Sequence, residues 1–252
     1  MKNIVSFSGG KDSTAMLLKM IENKINIDGI VFAKVMATPT INGEFEAMYE
    51  YISKVEDYIK RDITVVKSDM SFDEQFYTKK LKGNHIGDIY GYPFTVGAWC
   101  NSKLKMQPLN KHFAKCGDCC QFVGIAKDEP KRLLRQANKK NHICYLNVIG
   151  YTEKDCINYL QDKNLMNPLY KNHKRLGCWF CTKQSIADLR YLYNNHPVYW
   201  KMLQAWELDS RIPFSPNWTI AELTNRFILE NRQTSLFDNG QKFFDIVPLT
   251  KK

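Results

Sequence analysis

The sequence has 252 residues, of which 44% are hydrophobic and 13% aromatic, so the chain can bury a hydrophobic core. This composition excludes a disordered or collagen-like chain, and the lack of a long apolar run excludes a membrane-spanning helix. The first residues contain no apolar stretch typical of a signal peptide, so we expect a cytoplasmic protein. In that compartment the eight cysteines indicate metal binding or catalysis rather than disulfides.

The net charge of +10 is concentrated in one part of the chain. Residues 101–142 carry 10 basic and 3 acidic side chains, whereas residues 1–100 carry 12 basic and 13 acidic ones. This local excess predicts an acidic partner near the middle of the chain or, alternatively, a solvated basic surface helix.

Strands alternate with helices through residue 150. Helices are predicted at residues 14–23 and 44–59, and residues 83–98 are predicted to form an irregular loop. The predicted strands cover residues 2–7, 29–35, 63–67, 121–126 and 144–149. The alternation predicts an α/β fold with a parallel five-stranded sheet covered on both faces, and such sheets bind ligands at their carboxyl edge.

After residue 150 the pattern predicts helices only. Thr152 with Asp155, and Thr219 with Glu222, are predicted N-terminal caps. The predicted helices cover residues 156–162, 185–194, 198–208 and 220–231. We therefore expect an α/β domain over residues 1–150 and a helical extension over residues 151–252, with a weakly ordered tail from residue 234.

A glycine-rich turn follows the first strand and opens the first helix. Its residues are Ser8, Gly9, Gly10, Lys11, Asp12 and Ser13. Two glycines permit a close approach to a ligand, and backbone N–H groups at a helix N-terminus attract anions. The spacing is not that of the Walker loop. An ordinary strand–helix turn that contains two glycines is the alternative interpretation.

The segment SFSGGKDST resembles the PP-loop of the ATP pyrophosphatases, also called adenine nucleotide α-hydrolases. The resemblance implies a Rossmann-like sheet and assigns the turn to the phosphates of an adenine nucleotide. It also implies an adenine pocket near Ser6 and residues 32–34.

A C-x-x-C pair, Cys178 and Cys181, lets two thiolates reach one metal from a single turn. A redox pair and two buried thiols are the alternatives. Cys100, or the group Cys116, Cys119 and Cys120, could complete a metal site, and that group could instead form a separate zinc site. The five histidines show no metal-ligand spacing, so we assign them structural roles.

The resemblance extends to a second segment, in which Trp99-Cys100, Leu104-Lys105 and Pro108-Leu109 resemble the phosphoadenosine phosphosulfate (PAPS) and adenosine phosphosulfate (APS) reductases. Iron–sulfur members of that family carry two adjacent cysteines here, and Trp99 replaces the first. The resemblance implies Cys100, Cys178 and Cys181 as ligands of a [4Fe–4S] cluster or Zn²⁺. For the fourth ligand we name Cys120, while Cys116, Cys119, a non-protein ligand and an open position remain alternatives.

A third segment, with Asp128-Glu129 and Lys131-Arg132, resembles the turn that faces the anionic end of the substrate. We assign Lys105, Lys131 and Arg132 to the nucleotide phosphates or a substrate anion. The expected catalytic residues are Lys11, Asp12, Ser13 and Arg132.

The leading hypothesis is an ATP- and Mg²⁺-dependent enzyme that forms an adenylate, with sulfur transfer at a cysteine-bound cluster. Its expected partners are an adenine nucleotide, a sulfur or electron donor protein and, as an alternative acceptor, tRNA or DNA. A second hypothesis is a PAPS or APS reductase that releases sulfite, although no cysteine follows Cys181 to match the tail nucleophile of those enzymes. A third is a nucleotide- or nucleic-acid-binding module with a structural metal.

Overall fold

The computed structural model describes residues 1–83, 85–94 and 97–236, and it describes side chains as far as residue 232. Most of the predicted tail lies outside the described residues. Among the residues that are described, none of the helices is both long and apolar enough to cross a lipid bilayer.

Five parallel strands form one sheet in the order β3-β2-β1-β4-β5, which confirms the predicted parallel α/β sheet. The strands are β1 (Lys2–Phe7), β2 (Gly29–Lys34), β3 (Thr64–Lys67), β4 (Cys119–Val123) and β5 (His142–Ile143). β1 is central, and its Val5 pairs with Ile30 of β2 on one side and Phe122 of β4 on the other. The segments that follow β1 and β4 therefore emerge side by side at the carboxyl edge.

Helices cover the sheet and build the rest of the chain. They are α1 (Lys11–Glu22), α2 (Glu46–Ile59), α3 (Phe72–Tyr77), α4 (Gln107–Cys116), α5 (Pro130–Ala137), α6 (Tyr145–Val148), α7 (Glu153–Asp162), α8 (Ile186–Asn195), α9 (Pro197–Asp209) and α10 (Ile220–Leu236). A π-helical segment (Asn101–Met106) precedes α4, and a 3₁₀ turn (Pro168–Lys171) follows α7. After residue 150 the described elements are all helical, as predicted.

The predicted helix caps are present. Thr152 and Asp155 bond reciprocally at the start of α7, and Thr219 and Glu222 do the same before α10. Each cap satisfies backbone N–H groups that have no partner within the helix.

The prediction of a fifth strand at residues 144–149 is wrong. The strand is only His142–Ile143, and the next residues form α6, in which Tyr145 and Leu146 are buried while Val148 is 69% exposed. A short apolar run does not distinguish a strand from a buried helical turn. Cys144 consequently precedes a helix instead of lying in a strand.

Two hydrophobic clusters organise the described residues. The first lies between the sheet and α1, α2, α6 and α7. The second is rich in aromatic residues and joins the loops after β2 to α8, α9 and α10; in it the Trp179 ring stacks on Tyr199 and Trp206 at centroid distances of 4.4 and 5.6 Å. Trp179 thereby anchors the C-x-x-C pair. Leu169 packs against both clusters, and the domain boundary near residue 150 stays a prediction.

Candidate functional site

A cleft of about 860 Å³ opens at the carboxyl edge of the sheet. The glycine-rich turn between β1 and α1 forms its floor, and the ends of β2 and β4 form its sides. This volume lies within the range of small-molecule and cofactor sites. The position is the one expected for a ligand site of an open parallel sheet.

Gly9 has a geometric reason to be glycine. Its φ of +71° lies in the left-handed region, and a Cβ there would collide with the Met48 thioether. Its carbonyl accepts a hydrogen bond from Asn167 Nδ2 at 2.9 Å. The turn is therefore held from α2 and from the segment after α7.

The two serines of the turn bond to each other. Ser8 Oγ and Ser13 Oγ are 2.9 Å apart, and Ser13 Oγ also donates to the Gly10 carbonyl at 3.0 Å. Gly124, just after β4, packs so closely that its Cβ would lie 2.7 Å from both Cα and N of Ser13. The backbone of the turn is thus clamped between β1 and the end of β4.

Lys11 is surrounded by acceptors. Its ammonium lies 2.6 Å from Glu153 and 3.1 Å from Asp12, and its backbone N–H donates to the Tyr170 hydroxyl at 3.0 Å. Partial burial alone would lower the pKa of Lys11, but the bond to Glu153 and the charge of Asp12 outweigh burial and raise that pKa. Lys11 is therefore fully charged at neutral pH.

Three carboxylates at the base of the cleft form a candidate cation site. Asp12, Glu129 and Glu153 each place one oxygen within 4.8 Å of the other two. Burial raises the pKa of Asp12, because the charge of Lys11 only partly offsets the loss of solvation. Oxygen ligands of this kind suit Mg²⁺, which would favour the ionised form of Asp12.

Basic side chains form part of the cleft walls, and two of them are residues for which the sequence predicted contact with an anionic ligand. Lys105 and Arg132 line the cleft, and Arg132 bonds to Glu129 at 2.5 Å. Lys131 is exposed and outside the cleft lining, so the structure does not bring it into the cleft beside Arg132, and its assignment to the ligand stays a prediction. The helix α5 directs the two adjacent side chains differently, because consecutive helical residues do not share a face.

Ser6 lies at the inner end of the cleft, beside Val31 and Phe32 of β2. Its hydroxyl accepts a hydrogen bond of 2.7 Å from Gln121 Nε2 on β4. This polar pair next to apolar side chains could hold a planar ring with polar edges.

Three of the four predicted cysteine ligands come together next to this cleft. Cys181 lies close enough to both Cys100 and Cys178 to raise the pKa of each, and Lys105 interacts with all three thiols. Burial raises the pKa of Cys178 well above its usual value, although the nearby Lys105 charge opposes that rise. Three thiols beside a cation are a donor set that fits a thiolate-bound metal centre.

Cys120 is elsewhere, so the structure does not support it as the fourth ligand. It lies at the amino end of β4, where its thiol donates to the Met1 thioether at 3.7 Å. The cleft is at the opposite, carboxyl end of that strand, roughly 10 Å away. Cys119, whose pKa is raised by burial and by Cys116, belongs to the same distant group.

The spacing of the three cysteines bears on the type of metal. Within the described chain they do not form a group of ligand atoms that all lie within 4.8 Å of one another. Sulfur ligands of a single zinc ion would be roughly 3.8 Å apart, given Zn–S bonds of about 2.3 Å. At least one pair of these sulfur atoms is therefore farther apart than the ligands of a single zinc ion.

Several residues of the site were not predicted. Glu44 is 3% exposed. Its carboxylate accepts hydrogen bonds from the Tyr49 hydroxyl at 2.8 Å and from the Cys178 thiol at 3.9 Å. Others are Glu153, Tyr170 and Asn167; Lys174 and Arg175, which the sequence places just before the C-x-x-C pair, also line the cleft. These two basic residues are visible as a pattern in the sequence. No sequence pattern points to Glu44 or Glu153.

Comparison with known proteins identifies relatives over most of the chain. The model of the family described as "phosphoadenosine phosphosulfate reductase domain" matches residues 2–184. The chain is 30% identical over 209 residues to an uncharacterised nin region protein (ORF290) of Escherichia phage lambda, which covers 75% of this chain and 68% of that protein. A solved structure of PAPS reductase from Candida auris in a phosphate complex is 14% identical, with a TM-score of 0.48 over 71% of this chain and 82% of that one.

Proposed function

The chain belongs to the phosphoadenosine phosphosulfate reductase domain family, and on that premise we propose that it is a PP-loop enzyme that uses ATP. In the proposed reaction an oxygen atom of the substrate attacks the α-phosphorus of ATP. The bond from that phosphorus to the bridging β-oxygen breaks, pyrophosphate leaves, and adenylate remains on the substrate oxygen.

The observation that supports this proposal is the pairing of an anion-binding turn with three carboxylates. Asp12, Glu129 and Glu153 would hold Mg²⁺, which neutralises charge on the leaving pyrophosphate. The N-terminus of α1 and the Ser8 and Ser13 hydroxyls would bind phosphate oxygens directly above them. Phosphate and metal ligands thus occupy one end of the cleft.

Different basic residues would bind different negatively charged groups in the cleft. Lys11 would bind the leaving pyrophosphate, and Arg132 would bind the phosphate or acceptor that enters from the α5 side. Ser6 and Gln121 would contact the adenine edge at the inner end. This arrangement directs the α-phosphate toward Lys105 and the cysteines.

The cysteine site is the second part of the proposal. Cys100, Cys178 and Cys181 would hold an iron–sulfur cluster, with Lys105 offsetting negative charge on the thiolates. When bound, such a cluster supplies electrons or sulfur for a substrate activated in the adjoining cleft. The wall of the cleft that contains Lys105, Glu44 and Gly177 adjoins this site.

The test is release of pyrophosphate from ATP by anaerobically purified protein with Mg²⁺ and candidate acceptors. Lys11→Ala and Ser13→Ala should each lower the rate roughly 10²- to 10³-fold, because each removes a preorganised phosphate contact. Lys201→Ala, an exposed position on α9, is the control. Equal rates in the wild type and Lys11→Ala would contradict the proposal.

The family match also favours a second candidate, reduction of PAPS or APS to sulfite. The six lysine and arginine residues that line the cleft suit a sulfonucleotide, but no cysteine follows Cys181 in this sequence. Sulfite release from PAPS with a thiol donor, in the absence of ATP, would favour this reaction over adenylation.

A further inference from the structure

A small cavity is lined by both cysteines of the C-x-x-C pair and adjoins the nucleotide cleft, with which it shares Arg175, Leu176 and Gly177. Its volume is about 40 Å³, enough for one or two small atoms or a water molecule. Cys178, Cys181, Gln184, His173 and Asp188 contribute to its lining. The cavity therefore brings a histidine next to two of the proposed cluster ligands.

The His173 ring is fixed on one side by a carboxylate. His173 is 6% exposed, and its Nδ1 lies 2.9 Å from Asp188 Oδ1. The other oxygen of Asp188 accepts from the Ser185 hydroxyl at 2.6 Å and from the Ser185 N–H at 3.2 Å, so the carboxylate cannot turn away. A neutral imidazole that donates from Nδ1 to this carboxylate carries its lone pair on Nε2.

The free nitrogen has no partner among the described residues. His173 Nε2 is buried and makes no hydrogen bond there. The ring cannot rotate to find one, because it stacks on Phe45 at 5.1 Å and meets the edge of Tyr191 at 5.0 Å. A buried acceptor with a lone pair is costly unless something binds it.

We propose that His173, through Nε2, is the fourth protein ligand of the metal centre held by Cys100, Cys178 and Cys181. A carboxylate–histidine–metal arrangement is the usual way in which a ligating imidazole is oriented, and mixed histidine–cysteine ligand sets occur in zinc and iron–sulfur sites. Asp188 is then the positioning residue. The inference rests on the metal part of the proposed function and is independent of the nucleotide chemistry.

Trp99 explains why a further ligand is needed. The resemblance implies that it replaces a cysteine ligand, and it cannot bind a metal, because its indole N–H donates to the Gly91 carbonyl and its ring stacks on Phe72. His173 lies five positions before Cys178 and lines the cavity beside it.

The test compares metal content and spectra of the wild type, His173→Asn and His196→Asn, all purified anaerobically. Asparagine retains a group able to bond Asp188 but loses Nε2. His196 packs on the same Phe45 ring, 4.9 Å away, without lining the cavity, and is the matched control. We expect His173→Asn to lose at least half of the metal per chain or to shift the visible and electron paramagnetic resonance spectra, while His196→Asn matches the wild type.

A second measurement needs no variant at the histidine. Pulsed electron paramagnetic resonance of the reduced wild-type centre should show coupling to a histidine nitrogen, and the coupling should change when histidine is labelled with ¹⁵N. Lack of that coupling, an unchanged spectrum and metal content in folded His173→Asn, or a wild type without bound metal would each overturn the assignment. Pyrophosphate release measured on the same samples reports separately on the nucleotide proposal.

Discussion

The Lys11 ammonium lies 2.6 Å from Glu153, a carboxylate 142 positions further along the chain. Asp12 also bonds to Lys11, and Asp12, Glu129 and Glu153 form a group of three neighbouring carboxylates. In the proposed reaction Mg²⁺ would take over the carboxylates while the phosphates take over Lys11. Metal and nucleotide would then bind cooperatively. Mg²⁺ would draw the carboxylates away from Lys11, and the phosphates would draw Lys11 away from the carboxylates, so each ligand would free the groups that the other binds.

Replacing Glu153 by glutamine should separate these two effects. Without Mg²⁺, Glu153→Gln should bind ATP more tightly than the wild type, because a repelling carboxylate is gone and Lys11 keeps only Asp12 as a charged partner within the described chain. With Mg²⁺, its affinity for the metal–nucleotide complex should fall at least about tenfold, since a charged contact is lost. Calorimetric titration with ATP in EDTA and in Mg²⁺ measures both, with Glu50→Gln, an exposed position on α2, as control. The same change under both conditions would argue against a metal at Glu153.

Gly124 should be as important for nucleotide binding as the glycines of the turn itself. In Gly124→Ala the new methyl group would press on the Ser13 backbone at 2.7 Å, so we expect weaker nucleotide binding and a loss of about 1–3 kcal/mol of stability. In Gly29→Ala the methyl group meets only the flexible Ile4 side chain, at 3.1 Å. Urea unfolding of that control should change by less than about 1 kcal/mol, with unaltered ATP affinity. Normal ATP affinity in Gly124→Ala would show that the turn is not clamped from β4.

Glu22 joins α1 to α7 and so supports the approach of Lys11 to Glu153. It bonds to Lys19 on its own helix at 2.9 Å and to Lys163, just after α7, at 2.8 Å. Slight burial would raise the pKa of Glu22, but the bonds from Lys163 and Lys19 lower it to about 2. A carboxyl whose pKa is lower in the folded state stabilises the protein above its ordinary pKa of 4.5, and this stabilisation is lost as the pH falls from 4.5 toward 2.

Glu22→Gln should therefore be less stable than the wild type at pH 6 and nearly equal to it at pH 2.5. The side chain is 38% exposed, which limits the difference at pH 6 to about 0.5–1 kcal/mol. Urea unfolding at the two pH values measures it. A difference that grows toward acid pH would contradict the assigned direction of the pKa shift.

Local features of the chain were the predictable ones. The glycine-rich turn, β1 and the caps at Thr152 and Thr219 each depend on a few consecutive residues, and the structure has them where the sequence predicts them. The boundaries of β5 were missed because its neighbours form an apolar run too short to identify a period.

Contacts between distant segments were not predictable from one sequence. Asn167 reaches the Gly9 carbonyl across 158 positions, and Glu44 meets Cys178 across 134. Cys120 illustrates the same limit, because cysteine spacing alone does not tell which end of a strand a thiol occupies. The His173–Asp188 pair spans only 15 positions, yet no common metal motif has that spacing.

Basic residues of α4 are candidate phosphate contacts for a nucleic-acid acceptor. Lys111 and Lys115 line a separate cleft of about 330 Å³ together with Lys67 at the end of β3. Lys111 is already paired with Asp69 at 2.8 Å, which leaves Lys67 and Lys115 as the better phosphate contacts. Their ammonium groups lie on a surface outside the nucleotide cleft, so an acceptor could bind there while ATP is bound.

If the acceptor is tRNA or DNA, Lys67→Ala and Lys115→Ala should each weaken its binding without changing ATP affinity. Each should also reduce the slope of log affinity against log salt by about one, because one fewer counterion is released. Lys201→Ala, on the exposed face of α9, controls for net charge, since it removes the same charge away from this cleft. Fluorescence anisotropy across a salt series gives the slopes. Identical slopes in all three variants would show that this surface is not part of the acceptor site. The basic side chains of α4 would then only be solvated.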